Sequence, residues 1–126
     1  MPTDRLAGVD PILATKVRRI LVAMDALGFP MMATDGVRTT EQQQAIYALG
    51  RTLPGRIVTQ LDGATKKSQH QLGRAVDCTF LGPDGTPRWI NTDPWPLYGA
   101  MAKALGLRWG GDLKHPDRPH LELPPE

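Results

Sequence analysis

At 126 residues the chain has the length of one ordinary domain, so residues 1–126 are expected to form a single unit. With 40% hydrophobic and 22% charged residues it can build a core that buries roughly two-thirds of its unfolded surface, which excludes a disordered or fibrous chain. The formal net charge of +2 is compatible with an anionic polymer as target but far from a nucleic-acid binder's, so no nucleic-acid partner is expected.

The N-terminus, with an early Asp4 and no apolar h-region, does not read as a secretory signal; the expectation is synthesis in the cytoplasm. Asp10-Pro11 pairs an N-cap with proline at the first helical position, and Leu13, Val17, Ile20, Leu21, Met24 and Leu27 recur at helical spacing up to Gly28. Met31 to Thr34 is a short apolar run ending at Asp35-Gly36, a buried strand running into a turn. Thr39 and Thr40 stand three residues before Gln42 and Gln43, a capping-box pattern that opens a helix to about Leu49. Between residues 51 and 69, Gly55, Asp62-Gly63 and Lys66-Lys67 suggest loop, with a short strand at Ile57 to Thr59.

Ala75 to Leu81 reads as a strand. Cys78 within it is the only cysteine, which rules out an intramolecular disulfide, and a buried inert thiol is expected. Gly82-Pro83-Asp84-Gly85 is a turn, with Thr86 to Ile90 as its hairpin return. Asp93-Pro94 repeats the cap-plus-proline device for a helix through Leu97, Met101 and Leu105 to Gly106. Leu107 to Trp109 and His120 to Leu123 are strands either side of a polar loop. This order is α+β with a small antiparallel sheet. No apolar run approaches the ~20 residues needed to span a bilayer, so no membrane insertion is expected.

The histidines are His70, His115 and His120. His70 just before a strand and Asp77 within it can converge on one ion if Gly73 lets the chain turn tightly between them. Two imidazoles and a carboxylate suit zinc, and three protein ligands leave a fourth position for water. Spacing alone leaves the matter open, because a His beside a Gly or an Asp after a Val is as readily an ordinary polar residue.

Ser68-Gln69-His70-Gln71-Leu72-Gly73-Arg74-Ala75-Val76-Asp77 resembles the Ser-x-His-x-x-Gly-x-Ala-x-Asp motif of the zinc D-alanyl-D-alanine carboxypeptidase family. That family also takes in D-Ala-D-Ala dipeptidases and the L-alanoyl-D-glutamate endopeptidases of phage endolysins. Trp109-Gly110-Gly111-Asp112 is similar to its Trp-Gly-Gly-Asp segment, and Asp117-Arg118-Pro119-His120-Leu121-Glu122 to its Asp-x-Pro-His-Phe-Glu segment. Asp35-Gly36-Val37-Arg38-Thr39, followed by Gln43 and Tyr47, is similar to its Gly-x-Arg-Ser helix opening. Val37, Thr39 and Leu121 depart from the family's aromatic, Ser and Phe, which bears on pocket shape more than on competence.

The resemblance implies a Hedgehog/DD-peptidase-like fold, a small antiparallel sheet with helices packed on one side. It implies one Zn2+ per chain on His70, Asp77 and His120, with Asp117 as general base and Arg38 steadying the carbonyl oxygen. Ser68 would line the substrate site. Trp109 could line the same groove or belong to the core, and Trp89 and Trp95 are expected in packing. Glu122 would share a strand face with His120 and support it, Asp112 could cap or brace the site, and His115 is expected at a solvated rim. Lys66-Lys67 is expected to be solvated, or to meet a substrate carboxylate.

The implied activity is a monomeric zinc metallopeptidase acting on bacterial peptidoglycan, cutting L-Ala–D-Glu in the stem peptide after release through the membrane, as a phage lysin does. The alternatives are a D-Ala-D-Ala carboxypeptidase or dipeptidase, and a catalytically silent zinc- or wall-binding module.

Overall fold

A computed structural model of the chain describes residues 5–64 and 67–125, so Asp4 and Lys66 lie outside the described residues. Helix α1 spans Pro11–Ala26, and Asp10 caps it by accepting from the Ile12 amide at 2.8 Å. Leu13, Val17, Ile20 and Met24 form its buried stripe. Strand β1 (Met31–Asp35) follows, then helix α2 (Thr40–Ala48) behind a reciprocal capping box between Thr39 and Gln42. Strand β2 takes the predicted bounds, Ala75–Leu81. Its hairpin return narrows to β3 (Pro87–Arg88), and helix α3 covers Trp95–Ala104. Strands β4 (Arg108–Trp109) and β5 (His120–Glu122) flank a 3-10 turn at Gly110–Asp112.

The sheet is antiparallel and organised on β2. Strand β1 pairs along one edge of β2, β5 and β3 share the other, and β4 lies outside β5. Side chains alternate along a strand, so β2 sends Val76, Cys78 and Phe80 to one face and Asp77 and Thr79 to the other. Met31, Ala33 and Leu121 join the first face, and α1 and α3 cover it with Leu13, Val17, Ile20, Met24, Trp95 and Tyr98. Fully burying one such large side chain contributes roughly 1.5–3 kcal/mol, so this face carries the stability. Helix α2 adds nothing to that core and buries only Gln43. Cys78 is fully buried, and burial pushes its thiol up to about 12, which makes it inert.

Two local expectations fail for identifiable reasons. Ile57 to Thr59 is not a strand: Ile57 and Val58 are exposed, and the segment is held by side chains instead of a partner strand. The Leu61 amide donates to Thr59 Oγ1 at 3.1 Å, and Gln43 Nε2 donates to the Leu61 carbonyl at 2.7 Å. Asp93 does not cap α3, whose cap position is Pro94. Its buried carboxylate is gripped by the Arg88 guanidinium, Nη2 at 2.6 Å and Nε at 3.1 Å, a fork that satisfies both oxygens.

Trp109 is clasped between two glycines. A Cβ on Gly99 of α3 would stand 2.3 Å from the indole, and one on Gly111 would stand 2.2 Å from it. Helix propensity favours Gly99→Ala by about 1 kcal/mol, whereas overpacking costs about 1–3 kcal/mol. The expected net result is a loss of up to about 2 kcal/mol in urea unfolding. A raised midpoint would show that the indole has room to move.

Candidate metal centre

The pleat that buries Val76 and Leu121 turns their neighbours Asp77 and His120 to the opposite face, where they are direct partners across β2 and β5. His70 arrives from the turn before β2. The chain reverses there at Gly73, with φ +70°, so that His70 stands over the start of the strand. Ligand atoms of His70, Asp77 and His120 all lie within 4.8 Å of one another. Asp77 Oδ1 is 3.3 Å from His70 Nε2 and 3.3 Å from His120 Nδ1.

The remaining nitrogens of the two rings decide what faces that point. His70 Nδ1 lies 2.9 Å from the Gly36 carbonyl, which only accepts, so Nδ1 carries the proton and Nε2 presents a lone pair to Asp77. His120 Nε2 lies 2.8 Å from Glu122 Oε1, so it donates there and Nδ1 is left facing Asp77. Asp77 Oδ1 is buried and has no hydrogen-bond partner among the described residues. With both rings neutral, two imidazole lone pairs and a carboxylate oxygen thus converge with nothing donated between them. That arrangement fits a cation with nitrogen and oxygen preferences.

Electrostatics agree. Burial alone would raise the Asp77 carboxyl, but the His120 and His70 rings outweigh it and hold the group well below the usual carboxylate range. Burial disfavours the His120 imidazolium, yet Asp77 and Glu122 push it up to about 9. The cluster therefore attracts positive charge, whether a proton or a metal ion.

A cleft of about 440 Å³ opens over this cluster, lined also by Arg38, Ser68, Asp117, Glu122, Val58 and Trp89. Arg38 is fixed: Nη2 donates to Asp35 Oδ2 at 2.5 Å, Nη1 donates to Gln43 Oε1 at 2.6 Å, and its amide donates to the His70 carbonyl at 3.1 Å. A β-bulge between Ala33 and Asp35 brings Asp35 opposite Asp77, at the place where it meets Arg38. Ser68 is buried beside the first histidine, and its amide donates to Gln71 Oε1 at 2.9 Å. Burial, then the negative charge of Asp77, raises the Asp117 carboxyl above its ordinary value.

Other predicted site residues lie elsewhere. Trp109 does not line the cleft; its ring packs against the core and its Nε1 donates to the Arg118 carbonyl at 2.7 Å. Asp112 does not brace the cluster, because it pairs with Lys103 of α3 at 3.0 Å on the surface. His115 is exposed in the loop, and the Lys66 half of the lysine pair falls outside the described residues.

Three residues matter that sequence reasoning left without a role at the site. Gln43 is wholly buried and links Arg38 to the 59–61 segment; a glutamine inside a capping-box pattern gave no cue to that. Tyr98 OH donates to the Pro119 carbonyl at 2.7 Å, tying α3 to the residue before His120. Trp89, expected in packing, is 60% exposed at the cleft.

Two profiles, both of the family described as D-alanyl-D-alanine carboxypeptidase, match residues 7–86 and 62–123. The peptidoglycan L-alanyl-D-glutamate endopeptidase CwlK of Bacillus subtilis (strain 168) is 33% identical over 134 aligned residues, covering 99% of this chain and 77% of CwlK. An L-alanyl-D-glutamate peptidase of Listeria phage A118 is 31% identical over 110 residues; the match covers 84% of this chain but only 34% of the phage protein. Among solved structures, the Serratia marcescens L-Ala D-Glu endopeptidase ChiX superposes with a TM-score of 0.68 at 26% identity, covering 95% of this chain and 84% of ChiX.

The electrostatics set a pH signature. His120 is held at about 9 in the fold against an ordinary 6.5, so its contribution is fully present below pH 6.5 and is lost as pH rises through 9. Protein kept metal-free with a chelator is expected to lose on the order of 2 kcal/mol of stability across that window, read as a falling urea midpoint. A midpoint that stays level or rises between those pH values would refute the charge arrangement.

Proposed function

The chain belongs to the D-alanyl-D-alanine carboxypeptidase family, and on that premise we propose that it is a zinc peptidase cutting the L-Ala–D-Glu bond of bacterial peptidoglycan. The observation that carries the zinc reading is the convergence of His70 Nε2, His120 Nδ1 and the unpartnered Asp77 Oδ1. His70, Asp77 and His120 would hold the ion, with the Gly36 carbonyl and Glu122 fixing the two ring orientations. All three come from one chain, so the reading needs no second copy and is that of a monomer.

Zinc held there would lower the pKa of a bound water from about 15.7 to around 7 and would polarise the scissile carbonyl. Asp117, its carboxyl raised by burial and by Asp77, takes the proton from the attacking water and returns it to the leaving amine. Arg38, locked by Asp35 and Gln43, presents fixed donors toward the carbonyl oxygen as charge develops on it. Ser68 lines the floor of the cleft beside His70.

The bond preference rests on the named relatives, CwlK, the phage peptidase and ChiX, and on the cleft itself. A carboxypeptidase closes its groove around a terminal carboxylate with a dedicated Arg or Lys. Among the described residues lining this cleft the only Arg or Lys is Arg38, already committed to Asp35 and Gln43. The cleft adjoins further recesses, sharing Arg38 and Ile46 with one, Gln69 and Glu122 with a second and Trp89 and Asp117 with a third, which suits a substrate continuing on both sides of the bond. No described helix is long and apolar enough to cross a membrane, and release through the membrane, as for a phage lysin, is the route to the wall that accompanies this reading.

Asp117→Asn is expected to keep about one zinc per chain while turnover falls on the order of 10²–10⁴-fold, whereas His120→Ala loses zinc and activity together. Elemental analysis alongside turnover on purified peptidoglycan separates the two. Full zinc occupancy in His120→Ala would remove it from the ligand set, and near-normal turnover in Asp117→Asn would move the base elsewhere.

Digestion of intact peptidoglycan is expected to expose new D-Glu amino termini without free D-Ala, as read by muropeptide mass spectrometry with amino-terminal labelling. Free D-Ala with no new D-Glu terminus would establish the carboxypeptidase activity instead. No turnover with full zinc would establish a silent wall-binding module.

A further inference from the structure

Trp89 has no part in holding the metal or moving the proton, yet it is 60% exposed on a stiff mount. The carbonyl of its neighbour Arg88 accepts from Thr79 Oγ1 at 2.5 Å, and the Arg88 side chain grips buried Asp93 through bonds of 2.6 and 3.1 Å. An indole left in water forgoes the burial that aromatic side chains ordinarily gain, which marks the position as informative. Its place explains what it gains instead. Trp89 walls the cleft of His70, Asp77 and His120, and it also walls an adjoining recess of about 350 Å³ lined by Asn91, Pro116, Asp117 and Arg118.

An aromatic plate flanked by an amide and a guanidinium is the chemistry that recognises a pyranose, whose ring offers a C–H face and whose rim offers hydroxyl and acylamino groups. We propose that this recess is a saccharide subsite, taking the N-acylated amino sugar that carries the stem peptide, with Trp89 against the ring and Asn91 and Arg118 on its polar rim. The proposal rests on the L-Ala–D-Glu reading. In that bond the L-Ala is joined to the sugar through a single lactyl unit, so only two residue lengths, about 7 Å when extended, separate the sugar from the scissile bond. A D-Ala–D-Ala bond at the far end of the stem would leave the sugar several residues away.

The test compares two substrates of the zinc-loaded protein: a disaccharide-tetrapeptide, and the same tetrapeptide bearing only the N-lactyl group. Wild type is expected to prefer the sugar-bearing substrate in kcat/KM. Trp89→Ala is expected to shrink that preference about tenfold, chiefly through KM, and Trp89→Phe to retain most of it. An unchanged Tm in Trp89→Ala shows that the mount survives. Equal kcat/KM on the two substrates in wild type, or a preference that Trp89→Ala leaves intact, overturns the subsite. Failure of the bond reading is seen separately in the products: D-Ala released by wild type, in place of a new D-Glu terminus, removes the premise and the subsite with it.

Discussion

The site depends on one oxygen with no hydrogen-bond partner. Asp77 Oδ1 is buried, faces two imidazole nitrogens at 3.3 Å, and accepts no hydrogen bond from the described residues. A buried carboxylate oxygen left this way costs free energy unless a positive charge sits beside it. The fold maintains that cost by directing the other ring nitrogens outward, His70 Nδ1 to the Gly36 carbonyl and His120 Nε2 to Glu122. With those outer nitrogens committed, the inner ones stay aimed at Asp77, where they take up either a proton or a metal ion. The cluster is thus organised for a cation by what surrounds it.

The remainder of the architecture holds those few atoms still. β2 carries core residues on one face and Asp77 on the other, so packing of Val76, Cys78 and Phe80 against α1 and α3 sets the height of the carboxylate. The segment leading to His120 is pinned from two sides, since the Pro119 carbonyl accepts from both the Cys78 amide at 3.1 Å and Tyr98 OH at 2.7 Å. Gly110 supplies the third support: its carbonyl accepts from the Asp117 amide at 2.9 Å, and a Cβ there would stand 2.1 Å from the Asp117 carbonyl. The Trp-Gly-Gly-Asp segment therefore stands as scaffolding under Asp117 and His120, and none of its residues lines the cleft.

What the sequence made legible was local chemistry with a fixed period or a fixed cap. Asp10 before Pro11, Thr39 before Gln42, and the β2 run from Ala75 to Leu81 each encode their structure within a few residues. The family motifs brought His70, Asp77 and His120 together, which spacing alone could not do, because β2 meets β5 across more than forty residues of chain. Long-range side-chain choices stayed hidden. Asp93 looks like a cap until Arg88 is folded against it, and a tryptophan's letter does not say which of two glycine-lined or solvent-facing places it takes. Hence Trp109 took the core place of its two open readings, while Trp89, expected in packing, came out at the cleft.

The β-bulge in β1 decides which face of the sheet Asp35 takes. Thr34 is the extra residue that lets Asp35 stand opposite Asp77 while Met31 and Ala33 keep facing the core. In a strand of the same length without the bulge, Asp35 would follow Ala33 at a spacing of two, share its core-facing side, and leave Arg38 without that partner. Point changes at Thr34 touch only its own weak bond to the Asp77 carbonyl, at 3.3 Å. The skipped position, more than the side chain that fills it, therefore decides that an acid two residues from a core alanine comes out beside the arginine of the cleft.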